Sequence, residues 1–134
     1  MEGSKSSIIE KKFNVLIVDD APGIRMMHNA LLKSFGSNVE TQVAENGKVA
    51  VDLCNSGKYF DIIFIDKHMP IMDGVQATRK LREMGVASVI VGITSCDTDD
   101  EVKPFVEAGL NECFEKPLTR EKIKFVFEKF HKDG

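Results

Sequence analysis

Residues 61–74 read DIIFIDKHMPIMDG, and the first half of that stretch decides the fold. Ile62, Ile63, Phe64 and Ile65 are apolar at successive positions instead of alternating with polar ones. That is the pattern of a strand covered on both faces, as in a parallel sheet between two layers of helices. The run then meets Asp66, a carboxylate that is costly to bury unless something compensates it. Upstream the arrangement repeats, with Val15, Leu16, Ile17 and Val18 running into Asp19 and Asp20.

Outward from these two runs, short apolar stretches alternate with segments of helical period. Strands are predicted over 14–18, 40–44, 62–65, 88–93 and 112–115. Between them, a first helix places Ile24, Met27, Leu31 and Phe35 on one face after Pro22, and a second runs over 47–55 behind an Asn46 cap. A third carries Val75, Thr78 and Leu81, and a fourth Val102, Phe105 and Val106. The last carries Ile123, Val126, Phe127 and Phe130 after a Thr119 cap. Five strand–helix units joined by right-handed crossovers give an α/β fold. The sheet is a doubly wound, five-stranded parallel one of order 2-1-3-4-5, with helices on both faces.

The chain has 134 residues, 43% hydrophobic and 29% charged, with a net charge of -3, the profile of one ordinary globular domain. The domain is expected over 13–131, with a flexible arm at 1–12, a tail at 132–134 and no output domain. The charge balance lacks the clustered basic excess of a nucleic-acid binder. The longest apolar runs, VLIV (15–18) and VIVGI (89–93), fall far short of the roughly 20 residues that span a bilayer. Residues 1–12 have no signal-peptide pattern and Glu2 excludes N-myristoylation, so a cytoplasmic monomer is expected, with the nucleus as a second compartment. Cys54, Cys96 and Cys113 are odd in number and lack C-x-x-C spacing, which reads as reduced, packed thiols. His28 reads as a packed or rim residue of the first helix, and His131 as solvated.

The polar interruptions share one edge. Asp19 and Asp20 follow the first strand, Asp66 the third, Thr94 the fourth and Lys116 the fifth. In an open α/β sheet ligands bind outside these carboxyl ends, where the strand order reverses. Three carboxylates meeting there repel one another unless a cation offsets them. Mg²⁺, or Mn²⁺ in its place, takes a few carboxylate oxygens and completes its shell with water and phosphate. A carboxylate can also attack a phosphoryl group to give an acyl phosphate, with Lys116 and the Thr94 hydroxyl serving the phosphate oxygens.

VLIVDDAP (15–22), FIDKHMPIMDG (64–74), VGITS (91–95) and EKPLT (115–119) together resemble the receiver domain of two-component response regulators, a fold of flavodoxin-like topology. The resemblance covers residues 13–131. It implies that Asp66 is the phosphoacceptor and that Asp19, Asp20 and Asp66 hold Mg²⁺ together with the backbone carbonyl of His68. It also implies that Thr94 is the switch hydroxyl, that Lys116 clamps the phosphate, and that the donor is a histidine phosphotransfer protein. Pro22, Gly23, Ile24, Met27, Pro117 and Leu118 are the implied docking rim. IDKHMPIMDG, REMGVASVIVGITS and EAGLNECFEKPLT are most similar to the stand-alone type-C regulators of plants, which implies cytokinin signalling. One position departs from the family pattern: Cys113 stands three residues before Lys116, where most receivers carry a switching Phe or Tyr. Phe114 is expected on the opposite face, so signal output through the fourth helix and fifth strand is expected to be weak.

The leading reading is therefore a phosphoacceptor in a His-to-Asp phosphorelay. Its alternatives are a phosphohistidine phosphatase or phosphate sink that drains the relay through repeated turnover of Asp66, and a vestigial interaction module. A flavodoxin-like cofactor binder would need a Ser/Thr/Gly-rich phosphate loop, where DDAPG (19–23) is acidic.

Overall fold

The computed structural model describes residues 12–130. The predicted arm, the tail and His131 lie outside the described residues, apart from Lys12. At the centre of the molecule β1 (Phe13–Val18) lies parallel to β3 (Ile62–Asp66), with Val15 opposite Ile62 and Val18 opposite Ile65. β2 (Val39–Ala44) flanks β1, while β4 (Val89–Thr94) and β5 (Glu112–Glu115) follow β3, giving the predicted order β2-β1-β3-β4-β5. Val15–Val18 and Ile62–Ile65 are at most 1% exposed, which is the double-sided burial that their unbroken apolar runs require.

Five helices complete the units: α1 (Pro22–Lys33), α2 (Gly47–Asn55), α3 (Gly74–Glu83), α4 (Asp99–Ala108) and α5 (Arg120–Phe130). Successive strand residues feed opposite layers. Val15, Ile17, Ile62 and Phe64 pack with Leu32 of α1 and with Ile123 and Val126 of α5. Leu16, Val18, Ile63 and Ile65 pack with Ala50 of α2, Ala77 and Leu81 of α3, and Phe105 of α4. The two predicted caps form through side chains: Asn46 Oδ1 accepts from Val49 N at 2.9 Å, and Thr119 Oγ1 from Lys122 N at 3.2 Å. α3 opens with a full capping box between Asp73 and Gln76, which the sequence reading did not assign. No helix among the described residues is long and apolar enough to cross a membrane.

Three expectations need correction. Asp66 and Thr94 do not follow their strands but end them, each as the last paired residue, Asp66 opposite Ile93 and Thr94 opposite Glu115. α1 turns His28 and Leu32 inward, at 3% and 0% exposure, and leaves Met27 46% exposed. Its apolar arc is wider than one stripe, so periodicity locates the arc while packing against β1 and α5 selects its Leu32 edge. In α4, Phe105 and Ala108 are buried and Val106 is 51% exposed, for the same reason.

Candidate functional site

Asp66 is 3% exposed at the carboxyl end of β3, and Lys116 Nζ lies 3.1 Å from its Oδ1. The lysine starts from a fixed point, because its backbone N–H donates to the Thr94 carbonyl at 2.7 Å. Asp19 is 2% exposed; its Oδ1 accepts from Ala21 N at 2.9 Å, and Arg25 Nη1 donates to its carbonyl at 2.7 Å. Asp20, next in the chain, is exposed. One carboxylate oxygen from each of Asp19, Asp20 and Asp66 lies within 4.8 Å of the other two. The reversal of strand order between β1 and β3 thus brings together the three acids that the sequence placed on one edge.

Burial, and then the neighbouring Asp19 charge, push the Asp66 carboxyl above its ordinary range, and Lys116 only partly opposes them. Asp66 Oδ1 is buried, and despite the 3.1 Å approach of Lys116 it accepts no aligned hydrogen bond. A carboxylate oxygen left that way calls for a further partner. A hard divalent cation, bound through carboxylate oxygens, is the partner that this donor set suits, so the residues present fit Mg²⁺.

The flanking groups are held locally. The Thr94 side chain is fully buried, and its hydroxyl donates to the Cys96 carbonyl at 3.1 Å, within its own loop. Lys67, 8% exposed, donates from Nζ to the Glu101 carbonyl at 2.7 Å and to its Oε1 at 2.9 Å. His68 Nε2 lies 3.2 Å from the same Oε1, so the imidazole is engaged with α4. The two residues after Asp66 are therefore strapped to the first turn of α4. Glu101 belongs to the acidic first turn of α4, and nothing in the sequence announces this contact, because no periodicity links positions 34 residues apart.

The response regulator receiver domain matches residues 15–128. The chain belongs to that family. It is 52% identical to two-component response regulator ARR22 of Arabidopsis thaliana, over 91% of this chain and 87% of the relative. To ORR41 of Oryza sativa it is 38% identical, over 90% and 95%. Kinship with the stand-alone type-C regulators of plants, which the motifs implied, is thereby shown. Among solved structures, a chain of the CheX-CheY-BeF3-Mg²⁺ complex of Borrelia burgdorferi is 30% identical with a TM-score of 0.78, covering 90% of both chains. A Francisella receiver domain, 23% identical, shares the fold at a TM-score of 0.80, covering 90% of this chain and 98% of its own.

In this receiver Cys113 packs with the Phe105 layer, while Phe114 lies on the other face, edge-on to Phe125 with ring centroids 6.1 Å apart. Phe114 is thus anchored on the face opposite Cys113, as a one-residue offset in a strand requires. Burial, with Asp97 and Glu112, pushes the Cys113 thiol up to about 11, so it stays protonated at neutral pH. Of the implied docking rim, Pro22, Gly23 and Pro117 are exposed and Ile24 is half-buried. Leu118 departs from that expectation: at 3% exposure it packs in the core with Ile123 and offers a partner no surface. Met26, 71% exposed beside Met27, is the apolar surface residue of α1 that periodicity assigned to no face.

His28 is the buried titratable group for which the sequence gave no electrostatic role. Burial lowers its pKa from 6.5; the Asp19 charge opposes the shift and Lys116 adds to it. The folded chain then holds fewer protons on His28 than the unfolded chain does below pH 6.5. Stability should be full above that pH and fall as pH drops toward the lowered value. Thermal melts at a series of pH values should show this acid limb, and His28→Leu should flatten it.

Proposed function

We propose that this receiver takes a phosphoryl group from a phosphohistidine onto Asp66. The observation that carries the reading is the juxtaposition of a buried, partly unpartnered Asp66 Oδ1 with Lys116 Nζ on one side and the Asp19–Asp20 pair on the other. The Asp66 oxygen would attack phosphorus while the P–N bond to the donor imidazole breaks, its electron pair staying on the ring nitrogen. Lys116 would hold a phosphate oxygen, and Thr94 would have to exchange its Cys96 contact for another. Asp19, Asp20 and Asp66, with the His68 carbonyl, would hold Mg²⁺. Bound there, the ion would neutralise phosphoryl charge and bring the reactants together.

The donor proposed is a histidine phosphotransfer protein, the class that a receiver of the same fold contacts in a yeast complex with Ypd1. Incubation with a radiolabelled phosphohistidine donor, with and without Mg²⁺, tests the reading. Label should move to this chain only with the metal. Lasting label means relay, and rapid release of free phosphate with little accumulation means a sink or phosphatase. No transfer at all would leave the vestigial module.

Metal binding has its own readout. At ten times its dissociation constant Mg²⁺ should stabilise the fold by about 1.4 kcal/mol. Asp20 is exposed, with no side-chain hydrogen bond to lose, so Asp20→Asn should remove that gain without unfolding the apo chain. Equal Mg²⁺-induced stabilisation of both chains in thermal melts would rule out Asp20 as a ligand.

A further inference from the structure

Ile71 occupies a position that neither backbone propensity nor burial favours. Its φ is 72°, in the left-handed region that penalises a β-branched side chain. Met72 N donates to the Pro70 carbonyl at 2.7 Å, which closes a γ-turn around Ile71. A γ-turn with positive φ at its centre is the rare and strained form. The side chain is not buried in return: at 75% it is the most exposed large apolar residue among those described. Nor is the loop free to relax. Gly74 N–H returns to the Lys67 carbonyl at 2.8 Å, and Gly47 N–H donates to the Met72 carbonyl at 3.0 Å, so both flanks of the turn are pinned. Strain that the surroundings enforce, at a residue held out into solvent beside a reactive group, is a signature of function.

We propose that Ile71 is a docking residue that helps set which phosphohistidine protein this chain accepts phosphate from. The inference rests on the phosphoacceptor reading of Asp66. Five residues of chain reach at most about 17 Å from Asp66, and the loop is folded back well inside that limit. A partner of ordinary interface size covers roughly 800 Å² on each side, a disc of about 16 Å radius. A protein that seats its phosphohistidine on Asp66 therefore covers Ile71 as well. An exposed aliphatic side chain on a rigid turn meets such a partner with little conformational entropy left to lose. Its complement is an apolar spot on the donor beside the phosphohistidine.

Three variants separate docking from chemistry. Asn and Gly both tolerate the left-handed conformation, so Ile71→Asn and Ile71→Gly should remove strain, and the Asn variant should melt about 3 °C higher. Labelling of Asp66 by phosphoramidate, a small P–N donor that touches no docking surface, should stay within about twofold of wild type. With the phosphohistidine form of a histidine phosphotransfer protein, the half-saturating donor concentration should rise at least about fivefold for both, the loss typical of a contributing contact. Ile71→Leu, which keeps an apolar side chain, should recover most of it. Unchanged half-saturation in the Asn and Gly variants would overturn the proposal. So would an equal fall in phosphoramidate labelling, because Ile71 would then position the site instead of the partner. Wild-type chain that takes no label from either donor would overturn the phosphoacceptor reading itself.

Discussion

Asp66→Asn should abolish phosphoryl transfer from a phosphohistidine donor, by a factor on the order of 10³ or more, while leaving the chain folded and more stable. The amide matches the carboxylate in shape but has no anionic oxygen to form the new bond to phosphorus. The gain in stability follows from what holds the Asp66 carboxyl above its ordinary range, which is burial first and the Asp19 charge second. Removing a buried charge ends both penalties, and Lys116, whose side chain is 35% exposed, can return to water when its partner is gone. The increment should be on the order of 1 kcal/mol, or about 3–5 °C in melting temperature for a domain of this size. The pH dependence has a definite sign. Because the folded-state pKa is raised above that of an ordinary aspartate, wild-type stability rises as pH falls from the raised value toward the ordinary one. The advantage of the Asn variant should shrink over that same window. Label incorporation and melts on the two chains check both halves, and retained transfer would remove Asp66 from the role of acceptor.

The architecture was legible because its central strands are unusual locally. Val15–Val18 and Ile62–Ile65 have no polar face, so only a two-sided parallel sheet suits them, and the strand order then places Asp19, Asp20 and Asp66 together. What periodicity could not supply was rotation about a helix axis. α1 is apolar over a broad arc, and tertiary packing chose His28 and Leu32 for the core over Met27. Contacts between elements far apart in sequence were equally invisible. Glu101 reads as one acid in an acidic first turn until Lys67, 8% exposed and following the strand by one residue, is seen to donate to it twice. Ile71 carries no signal either, since a β-branched residue within HMPIMDG gives no hint of a positive φ. The chemistry was thus readable from residue types at strand ends, and the groups that modulate it were not.

Gly74→Ala should be the most damaging glycine-to-alanine change among the described residues, because Gly74 sets where Asp66 stands. It begins α3 directly after the Asp73 cap, and its N–H donates to the Lys67 carbonyl at 2.8 Å. A Cβ built on it would overlap the Asp66 carbonyl oxygen, and would lie 2.9 Å from Lys67 Cα and 3.0 Å from Phe105 Cζ. The first two obstacles are backbone atoms of the strand end, which cannot swing aside as a flexible side chain can, and Phe105 is 0% exposed with nowhere to go. Either α3 shifts outward and breaks its bond to Lys67, or the end of β3 shifts and takes Asp66 with it. Overpacking of this kind costs about 2–4 kcal/mol. The second consequence separates this variant from an ordinary core defect. Near-ångström displacement of a reacting group is enough to lower a rate by about 10²-fold. Gly74→Ala should therefore label slowly with phosphoramidate as well as with a protein donor, even below its lowered melting point. Gly85→Ala is the control: a Cβ there meets nothing within 4 Å, and its φ of 87° confines the damage to backbone strain remote from Asp66. Phosphoramidate labelling that falls in Gly74→Ala and holds in Gly85→Ala would show that the glycine's missing side chain is what lets β3 present its carboxylate.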